Sequence, residues 1–485
     1  MFKSNLFDIL KTLSLKEFKE FGEYVQSPFF NKNESVIKLY NHIKKYYPEL
    51  DNEKLEKEKS YSIIFPNVEY NDGFMRTIMF NLGKLAEDYL TYINFFGDAG
   101  NSGLHLLDEL NNRKIDRIFS KKVKTIEDEI ESTPYLGWKY YYEKHRLENI
   151  KNIFTNWRSF KNKNFKDYED NSSLFSTDYL IQFFLIKILN AYRFFYNKKS
   201  YTELEMNFGI VDEIVNYLKK DNQYKDNILI NLYFTELLLL KEEDEQYYYS
   251  LKEQLFKNAD KLNWHDKYST SNVLQNYCTI EYYNGKMNFL NERMELYKWI
   301  ISRGLYSGLE GGYFDDLIFS NVVLVGSKLK EHEWIMDFIG KYKSKLAPES
   351  MELTYNYNLS RAHFAQGQYE QALKDLNRIK RVSHLQYKII IKNITMMIYY
   401  ELSYFDMAHG VIDSYRHFLS NDNSISELRK VRYLNFINFF NRLLKLKEKN
   451  NKKDLENLSF DLKQVSNVLE KDWMMEKVGE MEKRS

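Results

Sequence analysis

Imidazole and thiol side chains are the groups from which a metal site or a nucleophilic centre would be built. The chain contains nine histidines and one cysteine. No histidine pair has the HExxH spacing that points two imidazoles at one zinc ion, since His332–Met336 reads HEWIM. A single cysteine also excludes an intrachain disulfide and a cysteine-rich zinc site. We therefore predict no metal ligand among the histidines, which are His42, His105, His145, His265, His332, His363, His384, His409 and His417.

The single cysteine, Cys278, stands at helical spacing from Leu274, Tyr277 and Tyr282. In such a position cysteine usually packs as a small apolar residue, and it would act as a nucleophile only if a histidine reached it in space. We interpret Cys278 as a buried residue of a helix contact. A catalytic constellation assembled only in three dimensions stays open as an alternative.

Glycine clusters are the places where a phosphate or dinucleotide cofactor would be held by backbone N–H groups. The cluster of Gly304, Gly308, Gly311 and Gly312 has neither GxGxxG spacing nor a following Lys-Ser/Thr pair. We predict a loop there. With no catalytic, cofactor-binding or metal-binding pattern in the sequence, the preferred interpretation is a protein that is not an enzyme and carries no cofactor.

The most one-signed stretch of the chain is basic and runs from Arg429 to Lys453. It could bind nucleic acid or an acidic protein, although basic residues at the end of a terminal helix also complement its dipole. The whole chain carries 70 Lys and Arg against 69 Asp and Glu, so no net field draws it to nucleic acid or an anionic membrane. Nucleic acid is therefore an alternative partner and a membrane is not expected. The basic residues include Lys430, Arg432, Arg442, Lys445, Lys447, Lys449, Lys452 and Lys453, and the aromatics predicted to face the core are Tyr433, Phe436, Phe439 and Phe440.

Helices are the elements that must position these residues, because apolar residues recur three and four positions apart almost everywhere. Hydrophobic residues make up 44% and charged residues 29%, as in folded soluble proteins. Ser14 and Glu17 form a capping box, and Thr133-Pro134 predicts a helix start. We predict an all-α fold, since proline occurs only at Pro28, Pro48, Pro66, Pro134 and Pro348.

A cytoplasmic location is the default expectation. Met1–Leu10 contains Lys3, Asn5 and Asp8 rather than the apolar block of a secretory signal. The most apolar helix, Tyr179–Tyr196, looks too polar to span lipid because it is interrupted by Gln182, Lys187, Asn190 and Arg193.

Four segments divide the chain in this interpretation. Residues 1–96 form an N-terminal helical module, and the glycine-studded residues 97–103 form a flexible linker. Residues 104–303 form a divergent helical-repeat region. Residues 313–485 form C-terminal repeats that end in the basic helix.

Two consecutive stretches of the C-terminal region have the same pattern. Small residues alternate with apolar ones around a turn at Gly367, and the pattern returns around Ser403. It resembles the tetratricopeptide repeat (TPR), which implies a right-handed superhelix of antiparallel helical hairpins. The first copy is Leu359, Ala362, Phe364, Gly367, Tyr369, Ala372, Leu373, Leu376 and Ile379, the second is Leu402, Ser403, Phe405, Ala408, Ile412 and Tyr415, and fainter copies contain Gly285, Met287 and Met294, then Trp334 and Phe338.

The N-terminal region carries a second resemblance. The strings Ser27–Asn33 and Phe65–Tyr70, followed by a helix with Arg76, are similar to an uncharacterised family of bacterial TPR-like proteins. This likeness implies a helical module and transfers no functional residue. From the residues themselves, Ser27-Pro28 predicts an extended exit from a helix, Phe29 and Phe30 are expected to plug the core, and Asn31 with Glu34 to cap the next helix.

The TPR resemblance also implies a partner-binding surface. Five positions of each first helix commonly line the concave groove of such repeats, and here they give a mixed aromatic and polar surface. The lysine-then-asparagine clamp for terminal carboxylates is absent, so an amphipathic helix or extended segment with an aromatic anchor is the expected protein or peptide partner. The predicted partner-binding residues are Tyr357, Arg361, Phe364, Asn393 and Tyr400.

Overall fold

The computed structural model describes most of the chain, and helices are the main element of the part that it describes. That part comprises residues 4–133, 135–159, 171–199, 209–220, 223–309, 311–380, 382, 385–422, 425, 427–449, 452–465 and 468–483. It contains no strand, and a single β-bridge joins Phe314 to Leu346. The prediction of an all-α fold is confirmed.

The chain divides into two compact units at Ile188/Leu189, inside one long helix. In the first unit, the buried residues of α1–α5 form one core and those of α6–α8 form another. The helices are α1 Asn5–Leu10, α2 Leu15–Gln26, α3 Glu34–Lys44, α4 Lys57–Ile64, α5 Asp72–Gly97, α6 Ala99–Asn112, α7 Asp116–Glu131, α8 Trp138–Ser159 and the first part of α9 Ser172–Lys199.

In the second unit every helix from α11 to α23 contacts the next one along the chain. In addition α15 contacts α17, and α17 contacts α19. The helices are α10 Ile210–Lys220, α11 Ile228–Glu242, α12 Glu245–Lys257, α13 Trp264–Tyr283, α14 Asn288–Ser302, α15 Asp316–Lys328, α16 His332–Tyr342, α17 Met351–Ala365, α18 Tyr369–Asn377, α19 Leu385–Glu401, α20 Phe405–Asn421, α21 Glu427–Glu448, α22 Lys452–Gln464 and α23 Lys471–Glu482.

Five of the described hairpins share one turn geometry. After α17, Gly367 has φ 75°, its N–H bonds to the carbonyl of Phe364, and the next N–H reaches back to His363. These two bonds form a Schellman motif, which closes a helix with one left-handed residue. After α19, Ser403 makes the same pair of bonds at φ 60°. The predicted turns at Gly367 and Ser403 are confirmed, and the motif recurs at Lys114, Gly285 and Lys330.

The left-handed serine gives a testable expectation for stability. Ser403 is exposed and its Cβ is unfavourable at positive φ, so we expect Ser403→Gly to raise the free energy of unfolding by about 0.5–1 kcal/mol. The reciprocal change, Gly367→Ser, should lower it by about 1 kcal/mol. Urea denaturation measures both. A loss of stability in Ser403→Gly would contradict the strain argument.

Local helix signals in the first unit are confirmed in part. Ser14 and Glu17 form the capping box. Ser27 has extended backbone, as predicted before proline, but α3 is capped by Asn33 rather than Asn31. Asn31 is instead buried and donates to the carbonyl of Val25. Pro134 lies outside the described residues, and α8 begins at Trp138.

Two predictions for the N-terminal region are wrong. Phe29 is 87% exposed and Phe30 is also exposed, so neither plugs the core. Phe30 instead stacks on Tyr24 at 4.0 Å between ring centroids. The glycine-rich stretch 97–103 is not a flexible linker, because α5 runs to Gly97 and α6 begins two residues later. The N–H of Asn101 is capped by Asp98, and helical hydrogen bonds continue across the glycines.

The long helix α9 bears on the question of membranes. The most apolar 18-residue window of its segment Ser172–Asn197 has mean hydropathy 1.2, so length and composition alone do not exclude a span, contrary to the prediction for Tyr179–Tyr196. A single helix of this kind is weak evidence for a membrane span, although only 22% of this window is buried, unlike a core helix of a soluble protein. Arg193 near its end is buried and paired with Glu236 and Asp266. This end of α9 therefore packs within protein.

Candidate functional site

The side chain with the most reactive chemistry, Cys278, lies in a closed environment. Its Sγ is 3.2 Å from the hydroxyl of Tyr248, and the residue is fully buried on α13. Burial raises the pKa of the Cys278 thiol to about 12, so the thiolate is scarcely populated near neutral pH. The predicted interpretation of Cys278 as a buried packing residue is confirmed. Within the described residues no group of three His, Cys, Asp or Glu side chains is placed to hold a metal ion, and His384 lies outside them.

A cluster of deeply buried charges lies between α9, α11 and α13. Arg193 Nη1 is 2.8 Å from Glu236 Oε2, and Arg193 Nη2 is 3.4 Å from Asp266 Oδ1. The hydroxyl of Tyr233 donates to Asp266, and that of Thr270 donates to Glu236. Burial disfavours the charged guanidinium, but attraction to the two carboxylates outweighs it and leaves the Arg193 pKa raised. Since the cluster is closed to solvent and internally satisfied, its role is to hold three helices together.

The basic stretch was predicted to form the last helix of the chain. This prediction is wrong, because α22 and α23 follow α21. Several of its cations are engaged within the unit. Arg442 lies 2.8 Å from Asp461 on α22, and Lys447 donates to the carbonyl of Tyr400. The prediction for its aromatics is confirmed: Phe436 and Phe440 are fully buried, and Tyr433 and Phe439 pack against the same core.

A groove of the second unit is the candidate site. It encloses a cavity of about 640 Å³, lined by side chains of α13–α15 and α17–α19 on one side and of α23 on the other. Arg361 and Phe364 of α17 line it, one helical turn apart. We call this feature the groove below. The C-terminal helix α23 therefore forms one side of it, and Met474 and Val478 of α23 pack into the core shared with α19–α22.

Acidic groups at the start of α23 meet basic groups of the groove. Asp472 accepts hydrogen bonds from Lys328 of α15 and from Tyr282 of α13, the latter at 2.6 Å. Glu470 lies 3.3 Å from the guanidinium of Arg361. Burial raises the pKa of Asp472, but Lys328 and Tyr282 together outweigh it and lower the pKa below its usual value. The Asp472 side chain is still 60% exposed, so this pair contributes only about 0–1 kcal/mol.

The aromatic anchor of α23 is Trp473. Its ring lies edge-on to Tyr400 with centroids 5.2 Å apart, stacks on Phe440 at 6.0 Å, and has Phe364 at 6.5 Å. Its indole N–H donates to Glu401 at 3.1 Å. One turn later, Lys477 Nζ is 3.0 Å from the same carboxylate. Glu401 thus fixes two positions of α23 at once. Burial lowers the pKa of Lys477, but the attraction to its two glutamate partners outweighs burial and leaves the pKa raised.

The predicted partner-binding residues occupy different positions around this groove. Arg361 and Phe364 are partly buried and line the cavity. Tyr400 is buried against Trp473, and Tyr357 is buried with its hydroxyl 3.5 Å from Arg361. Asn393 is buried on α19 and does not line the cavity. Two of the five therefore line the cavity, whereas Tyr357, Tyr400 and Asn393 do not, and the role of all five in binding a partner stays a prediction.

Sequence reasoning missed Lys328, Tyr282 and the whole of α23. The repeat pattern places residues only within its own hairpins, and Lys328 belongs to a fainter copy. A signal was nevertheless present in the adjacent Asp472-Trp473 pair, a charge beside a large aromatic after the last recognisable repeat.

Comparison of the chain with protein-family models, with curated proteins and with solved structures finds no match.

Proposed function

We propose that this protein is a non-enzymatic scaffold or adaptor that binds an amphipathic helix of a protein partner along the groove. The observation that carries the proposal is the manner in which α23 lies there. Basic residues meet its acidic first turn, and an aromatic wall meets Trp473. Helix-in-groove recognition uses such anchors at helical spacing.

A right-handed TPR-like superhelix is the architecture that we propose for the second unit. Its support is the recurrence of one turn geometry at Gly285, Lys330, Gly367 and Ser403, together with the contacts from α15 to α17 and from α17 to α19. Stacked hairpins of this kind present a continuous concave face. We further propose a cytoplasmic location, for which the burial of Arg193 inside protein at the end of α9 is the main support.

Nucleic acid remains the competing class of partner. Against it stands the engagement of Arg442 and Lys447 within the unit, which removes two cations from any phosphate-binding face. Filter binding over a salt series separates the classes, because phosphate contacts weaken steeply as salt rises.

The test of the proposed function is the Phe364→Ala variant of the full chain. Partners recovered by affinity purification from the source cells are identified, and the affinity of each purified partner is then measured. Truncating an interface aromatic typically costs about 2 kcal/mol, so the affinity should fall about 30-fold. The melting temperature is recorded beside it, since Phe364 is partly buried and its loss should cost only about 1–2 kcal/mol of stability.

Phe418→Ala is the matched control. Phe418 lies on α20, packs against the same core and is also partly buried, but it does not line the groove. It should lower stability by a similar amount and leave partner affinity unchanged. If both variants bind every recovered partner as the wild type does, the groove is not the binding site.

A further inference from the structure

One side of the groove is already covered by a segment of the same chain. We infer that α23 is a displaceable internal occupant of the groove, and that its pattern defines the partner helix that competes with it. That partner carries acidic residues two positions apart, a tryptophan directly after the second, and a basic residue four positions after the tryptophan. The inference rests on the proposed function and adds the partner's chemistry and its regulation.

Charge complementarity supports this choice of partner. Glu470 caps the start of α23 and faces Arg361, whereas Asp472 faces Lys328. The pattern reverses one turn later, where Lys477 faces Glu401 of the groove. A helix with the opposite order of charges would place like charges together at both ends. The groove therefore selects both the sequence and the direction of its occupant.

Met474 and Val478 anchor α23 in the core with α21 and α22, but three features weaken its hold on the rest of the groove. The pair of Asp472 with Lys328 remains open to solvent, so water competes for it. Glu470 is held at φ 50°, a left-handed conformation that is unfavourable for a residue with a Cβ. The cavity of about 640 Å³ beside α23 means that the groove is only partly filled. A separate helix that fills it has contacts to gain that α23 does not make.

Occupation by a tethered segment lowers the affinity for any competitor. A ligand that binds only the open state has its dissociation constant divided by the open fraction. An open fraction of about 1–10% therefore weakens binding 10- to 100-fold. Release of α23 is the step that makes the groove available.

The test measures binding of a fluorescein-labelled peptide with the sequence of residues 468–483 to full-length protein, by fluorescence anisotropy. The release variant carries Asp472→Lys and Trp473→Ala, which place a like charge against Lys328 and remove the aromatic anchor. We expect it to bind the peptide at least 10-fold more tightly than the wild type does. Asp472→Lys alone is measured in parallel, should shift affinity in the same direction, and keeps the test decisive if the double variant fails to fold.

The matched control is Glu456→Lys, the same charge reversal at an exposed position of α22. It should bind the peptide as weakly as the wild type. Equal affinity of the wild type and the release variant would overturn occupation by α23 while leaving the groove as a binding site. A folded release variant that fails to bind the peptide would overturn the inferred partner chemistry, and the proposed function would then be judged by Phe364→Ala alone.

A charge exchange identifies the contact directly. Lys328→Glu in the full chain should prefer a peptide carrying Asp472→Lys over the unchanged peptide by about 5-fold, whereas the release variant should show the reverse preference. An unaltered preference in Lys328→Glu would show that the peptide binds elsewhere and would overturn the inference.

Discussion

Replacing Arg193 by alanine is expected to lower the free energy of unfolding by about 3–5 kcal/mol. The side chains of Arg193, Glu236 and Asp266 are 3%, 1% and 4% exposed, so removal of the guanidinium leaves two carboxylates without a cation and without access to water. Unpaired buried carboxylates have raised pKa values and favour the protonated form. The loss of unfolding free energy in Arg193→Ala should therefore be smaller at pH 5 than at pH 8, because at pH 5 the folded variant takes up protons on these carboxylates. Urea denaturation at both pH values measures it.

The control for this prediction is an arginine in an exposed ion pair. Arg303 lies 2.7 Å from Asp260, and both side chains are open to solvent. Arg303→Ala should change stability by no more than about 0.5 kcal/mol at either pH. A triple variant with Arg193→Met, Glu236→Gln and Asp266→Asn should recover much of the loss, since it removes the charges together. A loss in Arg193→Ala no larger than that in Arg303→Ala would show that the cluster is not closed to water.

The second large effect is expected at Gly22 of α2. A Cβ at this position would lie 2.2 Å from the hydroxyl oxygen of Tyr40. Tyr40 is fully buried and donates to the carbonyl of Phe18, so its ring has no free space into which to move. Gly22→Val should therefore lower the free energy of unfolding by about 3 kcal/mol through overpacking. Denaturation followed by circular dichroism measures the change.

Gly97→Val provides the same substitution without the clash. Gly97 ends α5, and a Cβ there would meet nothing within 4 Å. Its effect should stay within about 1 kcal/mol. A similar loss for both variants would mean that helix propensity, rather than contact with Tyr40, sets the cost.

The helical fold and the clearest hairpins could be predicted from sequence because their determinants are local. Gly367 supplies its own backbone conformation, and the small Ala362 and Ala372 are buried where helices meet. Ser403 could be placed only by register with Gly367. The left-handed turns at Lys114 and Lys330 could not be predicted in this way, because lysine has no preference for positive φ that would mark a turn in the sequence.

The groove could be predicted only in part, because burial depends on elements distant in the chain. Arg361 and Phe364 were placed by repeat register, and both line the cavity. Their neighbours Glu470 and Trp473 come from a helix about a hundred residues later, which no period of the repeat predicts. Tyr357, Asn393 and Tyr400 were placed by the same register, but they are buried and do not line the cavity.

The predictions for the glycine-rich stretch and for the Phe29-Phe30 pair were wrong for a related reason. Glycine permits a flexible joint without requiring one, and the carboxylate of Asp98 together with packing on α7 keeps α6 helical. Two adjacent phenylalanines suggest a core plug, yet Phe29 projects into solvent while Phe30 stacks on Tyr24 at the surface.

The shared turn of the hairpins has a consequence for how freely this chain tolerates sequence drift. The two bonds that close each turn join main-chain atoms only, so glycine, lysine and serine all occupy the left-handed position at a modest cost. Natural substitution can therefore replace the residue at a turn while the backbone conformation of the turn persists. The turns of this chain therefore resemble one another in conformation more than in composition.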